Sequence, residues 1–486
     1  LIEDMDMGNA PDPLARMVGT AASEQRQGGQ NLGSVLFRRR YDLKYAYVAG
    51  AMYRGTASPE LVIRLGRAGL LGYLGTGGLS LVQIEQAIGT LQAALPAGQP
   101  YGLNLLAEYD DPRHERATVE MYLARGIRNI EAAAFIEITL PLVLFRLRGL
   151  VREADGTLVC RNRVLAKVSR LEVAEAFMSM APEPLVEALR SAGDITEEQA
   201  ELARRVPMSH DICVEADSGG HTDGGIPTIV LPAMLQLRDA LQAREGYAEP
   251  ICIGLAGGIG TPAAAAAAFA MGADFILTGS INQCTVESGA TDLVKTMLQD
   301  VSIHDMAYAP AGDLFERGSR VQVLKRGVLF PMRANRLYAL YSHYESLEAI
   351  PQNIRGVLER LFFKRTLEQV WQECEHYLLA QGREEDLALA RSNPKVRMAR
   401  VFRWYFAYST KLAFSGESAD QANYQVQTGP ALGAFNQWVK GTRLESWQRR
   451  HVDEIAISLM EATAQHLQVL RELLVSPQEA VMDTEH

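Results

Sequence analysis

Residues 215–225 read Glu-Ala-Asp-Ser-Gly-Gly-His-Thr-Asp-Gly-Gly and follow directly on the apolar run Ile212-Cys213-Val214. This pattern predicts a buried strand that ends in a loop holding four glycines, two aspartates and one imidazole. Glycines carry no Cβ, so their backbone N–H groups can approach a flat or anionic ligand closely. An imidazole among them exchanges a proton near neutral pH, which makes His221 the candidate acid–base residue. The competing reading is a glycine-rich turn with an incidental histidine.

Other short segments carry chemistry of a matching kind. Ala256-Gly257-Gly258-Ile259-Gly260-Thr261-Pro262 precedes an alanine-rich stretch, with Thr261 placed as an N-cap and Pro262 as the first helical residue. Glycines ahead of a helix start aim N–H groups at an anion, and Thr278-Gly279-Ser280 is a second small-residue turn suited to the same phosphate. Gly50-Ala51-Met52 leaves room for a flat ring, Asn104 can both donate and accept, and Lys167 can stabilise an anionic ring or a phosphate. The bland alternatives are a core Met52, a capping Asn104 and a Lys167 that pairs with a buried carboxylate. Ser209-His210-Asp211 has the residue types of a triad, but adjacent side chains cannot converge as a nucleophile relay requires. The sequence contains no G-x-S-x-G elbow, H-E-x-x-H or Walker motif.

The elements that would position these residues follow from the apolar rhythm. Strand-like runs recur at Tyr47–Ala49, Leu71–Leu74, Tyr101–Leu105, Asn129–Ala132, Val164–Val168, Ile212–Val214, Ile251–Leu255 and Phe275–Leu277, with helical spacing in each gap. Eight strands alternating with helices predict an α/β fold, a (β/α)8 TIM barrel, over residues 41–305; an open doubly wound sheet is the runner-up. In a barrel the candidate residues gather where the strands end, and the turns after strands seven and eight are the expected phosphate site. Asp155-Gly156 between Leu150-Val151 and Leu158-Val159 predicts a small hairpin after strand four. Residues 1–40 read as a partly irregular arm. Beyond residue 300, helical patterns at Ala334–Leu347, Asn353–Phe363, Leu367–Ala380, Val396–Leu412 and Arg449–Leu474 predict a helical subdomain over 306–486 without a further strand series.

Composition narrows the class. The 486 residues are 48% hydrophobic and 22% charged, with no run able to span a bilayer and no basic-then-apolar start of a signal peptide. The expectation is a cytoplasmic protein away from membranes. Its five scattered cysteines lack any C-x-x-C pair, so reduced thiols and no bound metal are expected. A net charge of −10 argues against nucleic acid as a partner of the whole chain. Residues 320–403 nevertheless hold fifteen Lys or Arg against nine Asp or Glu, either a solvated face or a surface for an acidic partner.

Taken together, these segments resemble the flavin-dependent barrel reductases that include nitronate monooxygenases and bacterial enoyl reductases. Ala216–His221 is similar to their flavin-site histidine loop, and Gly257-Gly258-Ile259 with Gly279-Ser280 to their phosphate cradle. Lys167–Arg170, Glu215–Thr222, Ala309–Asp313, Val321–Leu324 and Gly429–Asn436 resemble, more narrowly, the trans-acting enoyl reductases of the PfaD type that serve polyketide and polyunsaturated fatty-acid synthases. The resemblance implies FMN as cofactor, held by Gly50, Ala51, Met52, Asn104, Lys167, Asp217, Ser218, Gly219, Gly220, Gly257, Gly258, Ile259, Gly279 and Ser280. It implies NADPH as hydride donor and an enoyl-phosphopantetheine thioester on an acyl carrier protein as substrate. His221 would then protonate Cα or hydrogen-bond the thioester oxygen. The alternative is a nitronate monooxygenase-like oxidase of a small molecule. The basic face at Lys325, Arg326, Arg333, Arg336, Lys364 and Arg365 would dock the carrier protein, and the oligomeric state stays open.

Overall fold

The computed structural model describes residues 28–96, 98–109 and 111–475, so most of the amino-terminal arm lies outside the described residues. Eight parallel strands close into a barrel: Tyr47–Ala49, Leu71–Leu74, Gly102–Leu106, Asn129–Ala133, Arg163–Val168, Asp211–Glu215, Cys252–Ala256 and Phe275–Thr278. They are adjacent in chain order, and strand one closes against strand eight with Tyr47 beside Ile276 and Ala49 beside Thr278. Barrel strands are covered on both faces, which is why each appears in the sequence as an unbroken apolar run rather than as an alternation. The connecting helices start on the caps their sequences supply. Ser58, Ser80, Thr139 and Thr261 each accept from the backbone three residues on. The expected hairpin is present, with Leu150–Arg152 antiparallel to Leu158–Cys160.

By compactness the chain divides into two units. One takes in the chain up to Glu215, Pro227–Gly289 and the stretch from Gln437; the other is Ala216–Ile226 with Ala290–Asn436. In the barrel unit the helix Val35–Tyr41 ends the arm. Its Phe37 is fully buried and stacks on Phe275 with ring centroids 4.0 Å apart. The alanine-rich helix Pro262–Ala270 packs chiefly against the carboxyl-terminal helix Val452–Val475, because small side chains let the two backbones approach. Glu461 on that terminal helix accepts from Gly29 N (3.0 Å) and from the Tyr45 hydroxyl (2.6 Å), tying chain end to chain start.

The second unit is mainly helical, as expected, but adds a small sheet where no further strand series was expected. Met306–Pro310, Arg320–Leu324 and Gly220–His221 form a three-stranded antiparallel sheet. Helices Phe330–His343 and Pro394–Ser415 cover a separate core that includes Phe315, Phe330, Phe402, Tyr405 and Phe406. The predicted helix at Asn353–Phe363 is Gln352–Val357 followed by a π-helical turn over Leu358–Phe363. Among the described residues, no helix is long and apolar enough to cross a membrane.

Gly254 on strand seven stands beside Phe275 on strand eight, and a Cβ there would lie 2.3 Å from its ring. Gly254→Ala is therefore expected to lower the unfolding free energy by about 1–3 kcal/mol, read from the urea midpoint.

Candidate active site

The carboxyl ends of strands one, three, four, five and six share one buried polar network in the barrel unit. Glu131 on strand four is fully buried. Its Oε2 accepts from Ala51 N at 3.1 Å, while Asn104 Nδ2 donates to the Glu131 carbonyl at 3.0 Å. Glu131 Oε1 has no hydrogen-bond partner among the described residues. Lys167 Nζ, on strand five, lies 3.0 Å from Glu215 Oε1 at the end of strand six. Burial raises the Glu131 carboxyl to about 7; Lys167 and the Ala51 N–H pull the other way without overcoming it. Burial pulls Lys167 down, but Glu215 and Glu131 outweigh it, so the ammonium stays charged above its ordinary range.

The glycine turns differ from one another in what requires glycine. A Cβ at Gly50 would sit 2.6 Å from Leu277 and 3.2 Å from Glu131 Oε1, so packing alone demands glycine there. Gly258 and Gly279 are another matter, because a Cβ at either meets nothing within 4 Å. Gly257 and Gly258 adopt φ of +93° and +75°, backbone conformations that L side chains rarely take. Thr261 then caps helix Pro262–Ala270, accepting from Ala264 N at 3.3 Å. Ile259 is buried, so any part it takes is through its backbone. Gly279 caps the short helix Ser280–Gln283.

In the second unit, Gly220–His221 pairs with Arg320–Leu324, with Val321 opposite His221 and Gln322 opposite Gly220. His221 Nε2 lies 2.9 Å from Asp313 Oδ1. Asp313 is exposed; what desolvation it has raises its carboxyl, but the His221 hydrogen bond and charge more than offset this, leaving it below the ordinary value. Asp217 is the hub of the loop, accepting from Thr222 Oγ1 (2.8 Å), Gln322 Nε2 (3.2 Å) and the Tyr308 hydroxyl. A Cβ on Gly219 would fall 2.6–2.7 Å from the Thr428–Gly429 backbone, and one on Gly429 would fall 2.7 Å from Gly219 N. The Gly429–Asn436 segment thus abuts the histidine loop, a placement nothing in its sequence position announces.

Residues 40–334 match the nitronate monooxygenase family, and residues 344–424 match the inserted helical domain of [acyl-carrier-protein] S-malonyltransferase. The chain belongs to the nitronate monooxygenase family. This family member is similar to the enoyl reductase domain of MlnA from the macrolactin biosynthesis cluster of Bacillus amyloliquefaciens. They are 44% identical, with 91% of this chain and 99% of that one covered and a TM-score of 0.88. It is 51% identical over 436 residues to the polyketide biosynthesis protein PksE of Bacillus subtilis, covering 90% of this chain and 56% of PksE. It is 44% identical over 418 residues to a component of the polyunsaturated fatty acid synthase of a Thraustochytrium species, covering 85% of this chain and 28% of that protein. The chain spans about half or less of the length of these two curated relatives.

Against the sequence-derived set, the structure brings Ala51, Asn104 and Lys167 together around Glu131 and Glu215, neither of which the sequence singled out as a site residue. A lone carboxylate in the apolar run Asn129-Ile130-Glu131-Ala132-Ala133 was the available signal. Asp313, the partner of His221, lies 92 residues away along the chain and was visible only within a family-like segment. The basic face is largely spent on internal pairs. Lys364 lies 2.6 Å from Asp420, Arg326 3.5 Å from Asp305, Arg365 pairs with Glu373, and Arg333 bonds Asn423. Lys325 and Arg336 make no ion pair among the described residues. Three of the six cations are thus matched by carboxylates on neighbouring helices and turns, and Arg333 by a neutral amide.

Glu131 gives a pH signature. With its folded value raised from 4.5 to about 7, its contribution to stability is complete below the lower value and lost as pH rises through the upper one. Between pH 5 and 8, wild type should lose about 2 kcal/mol of unfolding free energy relative to Glu131→Gln, measured by urea denaturation at both pH values. A difference that does not change with pH would show that Glu131 ionises normally.

Proposed function

We propose that the chain is an enoyl-thioester reductase. It would saturate the α,β double bond of a 2-enoyl thioester borne by phosphopantetheine on an acyl carrier protein, during polyketide or polyunsaturated fatty-acid biosynthesis. The observation that carries this reading is the 44% identity to the MlnA enoyl reductase domain over 91% of this chain. The match of residues 344–424 to a helical insert of a carrier-protein transferase supports a carrier-bound substrate.

The residues fit FMN as cofactor. The open space at Gly258 and Gly279 is what a phosphate cradle needs, with the N–H groups of both turns as donors. Asn104 and Lys167 are the polar groups for the ring. Bound there, and reduced by NADPH, the flavin supplies the hydride that goes to the β-carbon. The chain's own task is the proton. His221 donates it to the α-carbon, while Asp313 orients the ring and balances its charge. His221 stands six residues beyond Glu215, where strand six ends and the loop begins.

Anaerobic NADPH consumption with a 2-enoyl thioester on carrier protein or pantetheine tests the reading, with saturation of the double bond as the expected result. Turnover of nitronates without enoyl reduction would instead favour a small-molecule oxidase, an activity of the kind for which the family is named. His221→Ala is expected to lower kcat by about 10²–10⁴-fold with flavin retained. Asp313→Asn, which keeps a hydrogen-bonding side chain but removes the charge, should lower kcat less and alter the pH profile of turnover. Gly279→Val places a side chain in the cradle at a negative φ of −126°, so it should lose flavin absorbance after gel filtration while its circular dichroism stays unchanged.

A further inference from the structure

The amino-terminal ends of strands five and six, away from the strand ends just described, border a cavity of about 220 Å³ lined by Arg39, Arg40, Arg146 and Arg163. Two carboxylates, Asp211 and Glu249, share it, and both are taken by Arg40, whose Nε lies 2.8 Å from Glu249 Oε1. Arg146 is 1% exposed, yet every partner it has among the described residues is neutral. It donates to the carbonyls of Pro207 (3.0 Å) and Asn162 (3.0 Å) and to His210 Nδ1 (2.9 Å). Burial, with Arg146 and Arg40 alongside, pushes His210 well below the ordinary imidazole value, so that ring carries no charge. Among the described residues, Arg163 has only the Asn129 amide at 3.4 Å and the face of Tyr41. Arg39 is exposed and has no side-chain partner among the described residues.

Three guanidinium groups without an anionic partner among the described residues therefore surround one cavity, and one of them is shut away from water. A buried charge without a counter-charge is costly, and guanidinium pairs best with oxyanions that accept two parallel hydrogen bonds. We propose that this cavity is a binding site for a small phosphoryl oxyanion, free or as a terminal ester group. Its size sets the limit, since pockets for whole drug-sized ligands run to roughly 300–1,000 Å³. The site is separate from the Gly257–Gly260 turn and does not depend on the reaction the chain catalyses.

Cys160 lines the cavity and is half-buried, whereas Cys213, Cys252 and Cys284 are buried, so its alkylation reports occupancy. With the protein loaded with FMN and the excess removed by gel filtration, so that the glycine turns do not compete, millimolar pyrophosphate should slow Cys160 alkylation by about threefold or more relative to sodium chloride of equal ionic strength. The rate at Cys374, the other half-buried thiol, should not change. Arg39→Gln combined with Arg163→Gln should abolish the protection, and the exposed Arg39→Gln alone should weaken it. Protection by a phosphate monoester as well as by the inorganic ion would assign an esterified group; protection by the inorganic ion alone would assign the free species. Equal rates in both salts, or protection that survives the double substitution, would overturn the proposal.

Discussion

A carboxylate with no route to water fixes the carboxyl end of this barrel. Glu131 sits on strand four between strands three and five, and its two oxygens do different work. One holds the backbone of Ala51 at the turn after strand one; the other is left without a partner. An isolated ionised carboxylate would be intolerable there, and two features relieve it. Lys167 supplies opposite charge from strand five, and the raised proton affinity lets the group go neutral near pH 7. Lys167 in turn needs Glu215, so three charges on three neighbouring strands are held as a unit. The strand ends that carry Ala51, Asn104 and Lys167 are thereby fixed relative to one another before any ligand arrives.

The histidine is built on different principles. Its loop leaves strand six at Glu215 and the chain resumes its helix at Pro227, but within 216–226 the residues belong to the other compact unit. There His221 is an edge-strand residue whose hydrogen-bonding neighbour, Arg320–Leu324, arrives from a hundred residues downstream. Asp217 gathers Thr222, Gln322 and Tyr308, and Gly219 lets the Thr428–Gly429 backbone come against the loop. Loops positioned by a scaffold are where chemistry commonly resides, and this scaffold is a sheet and its helical cover rather than the barrel alone. The segment after residue 300 thus supplies both the strand beside His221 and the aspartate that orients it.

These two principles explain what the sequence made legible. Barrel strands are buried on both faces, so they stand out as apolar runs bounded by turn residues, and all eight were readable to within a residue or so at either end. Glycine turns and the Thr261-Pro262 helix start were readable because backbone geometry restricts residue choice. The small sheet was not. Met306–Pro310 is exposed on part of its length and ends in proline, Gly220–His221 has only two residues, and neither has an apolar alternation to detect. Glu131 escaped notice as a site residue because periodicity gives strand position but not which titratable side chain is cut off from solvent. Asp313 escaped because a pairing across 92 residues leaves no local trace.

The electrostatics of the helical part depend on which of its charges are compensated. A count of lysines and arginines measures charge, whereas recognition of an acidic surface depends on charge that is not already compensated. Exposed pairs such as Lys364–Asp420 and Arg365–Glu373 present little field beyond their own dimensions, since salt screens them within about 10 Å. Among the described residues of this stretch, Arg320, Lys325, Arg336, Arg355 and Arg360 make no ion pair, and Lys325 and Arg336 flank the exposed Met332 and Leu329. An approaching acidic partner would therefore be guided by a few cations beside apolar surface rather than by a broad positive face. Mixed contacts of that kind derive affinity from apolar burial and orientation from the charges.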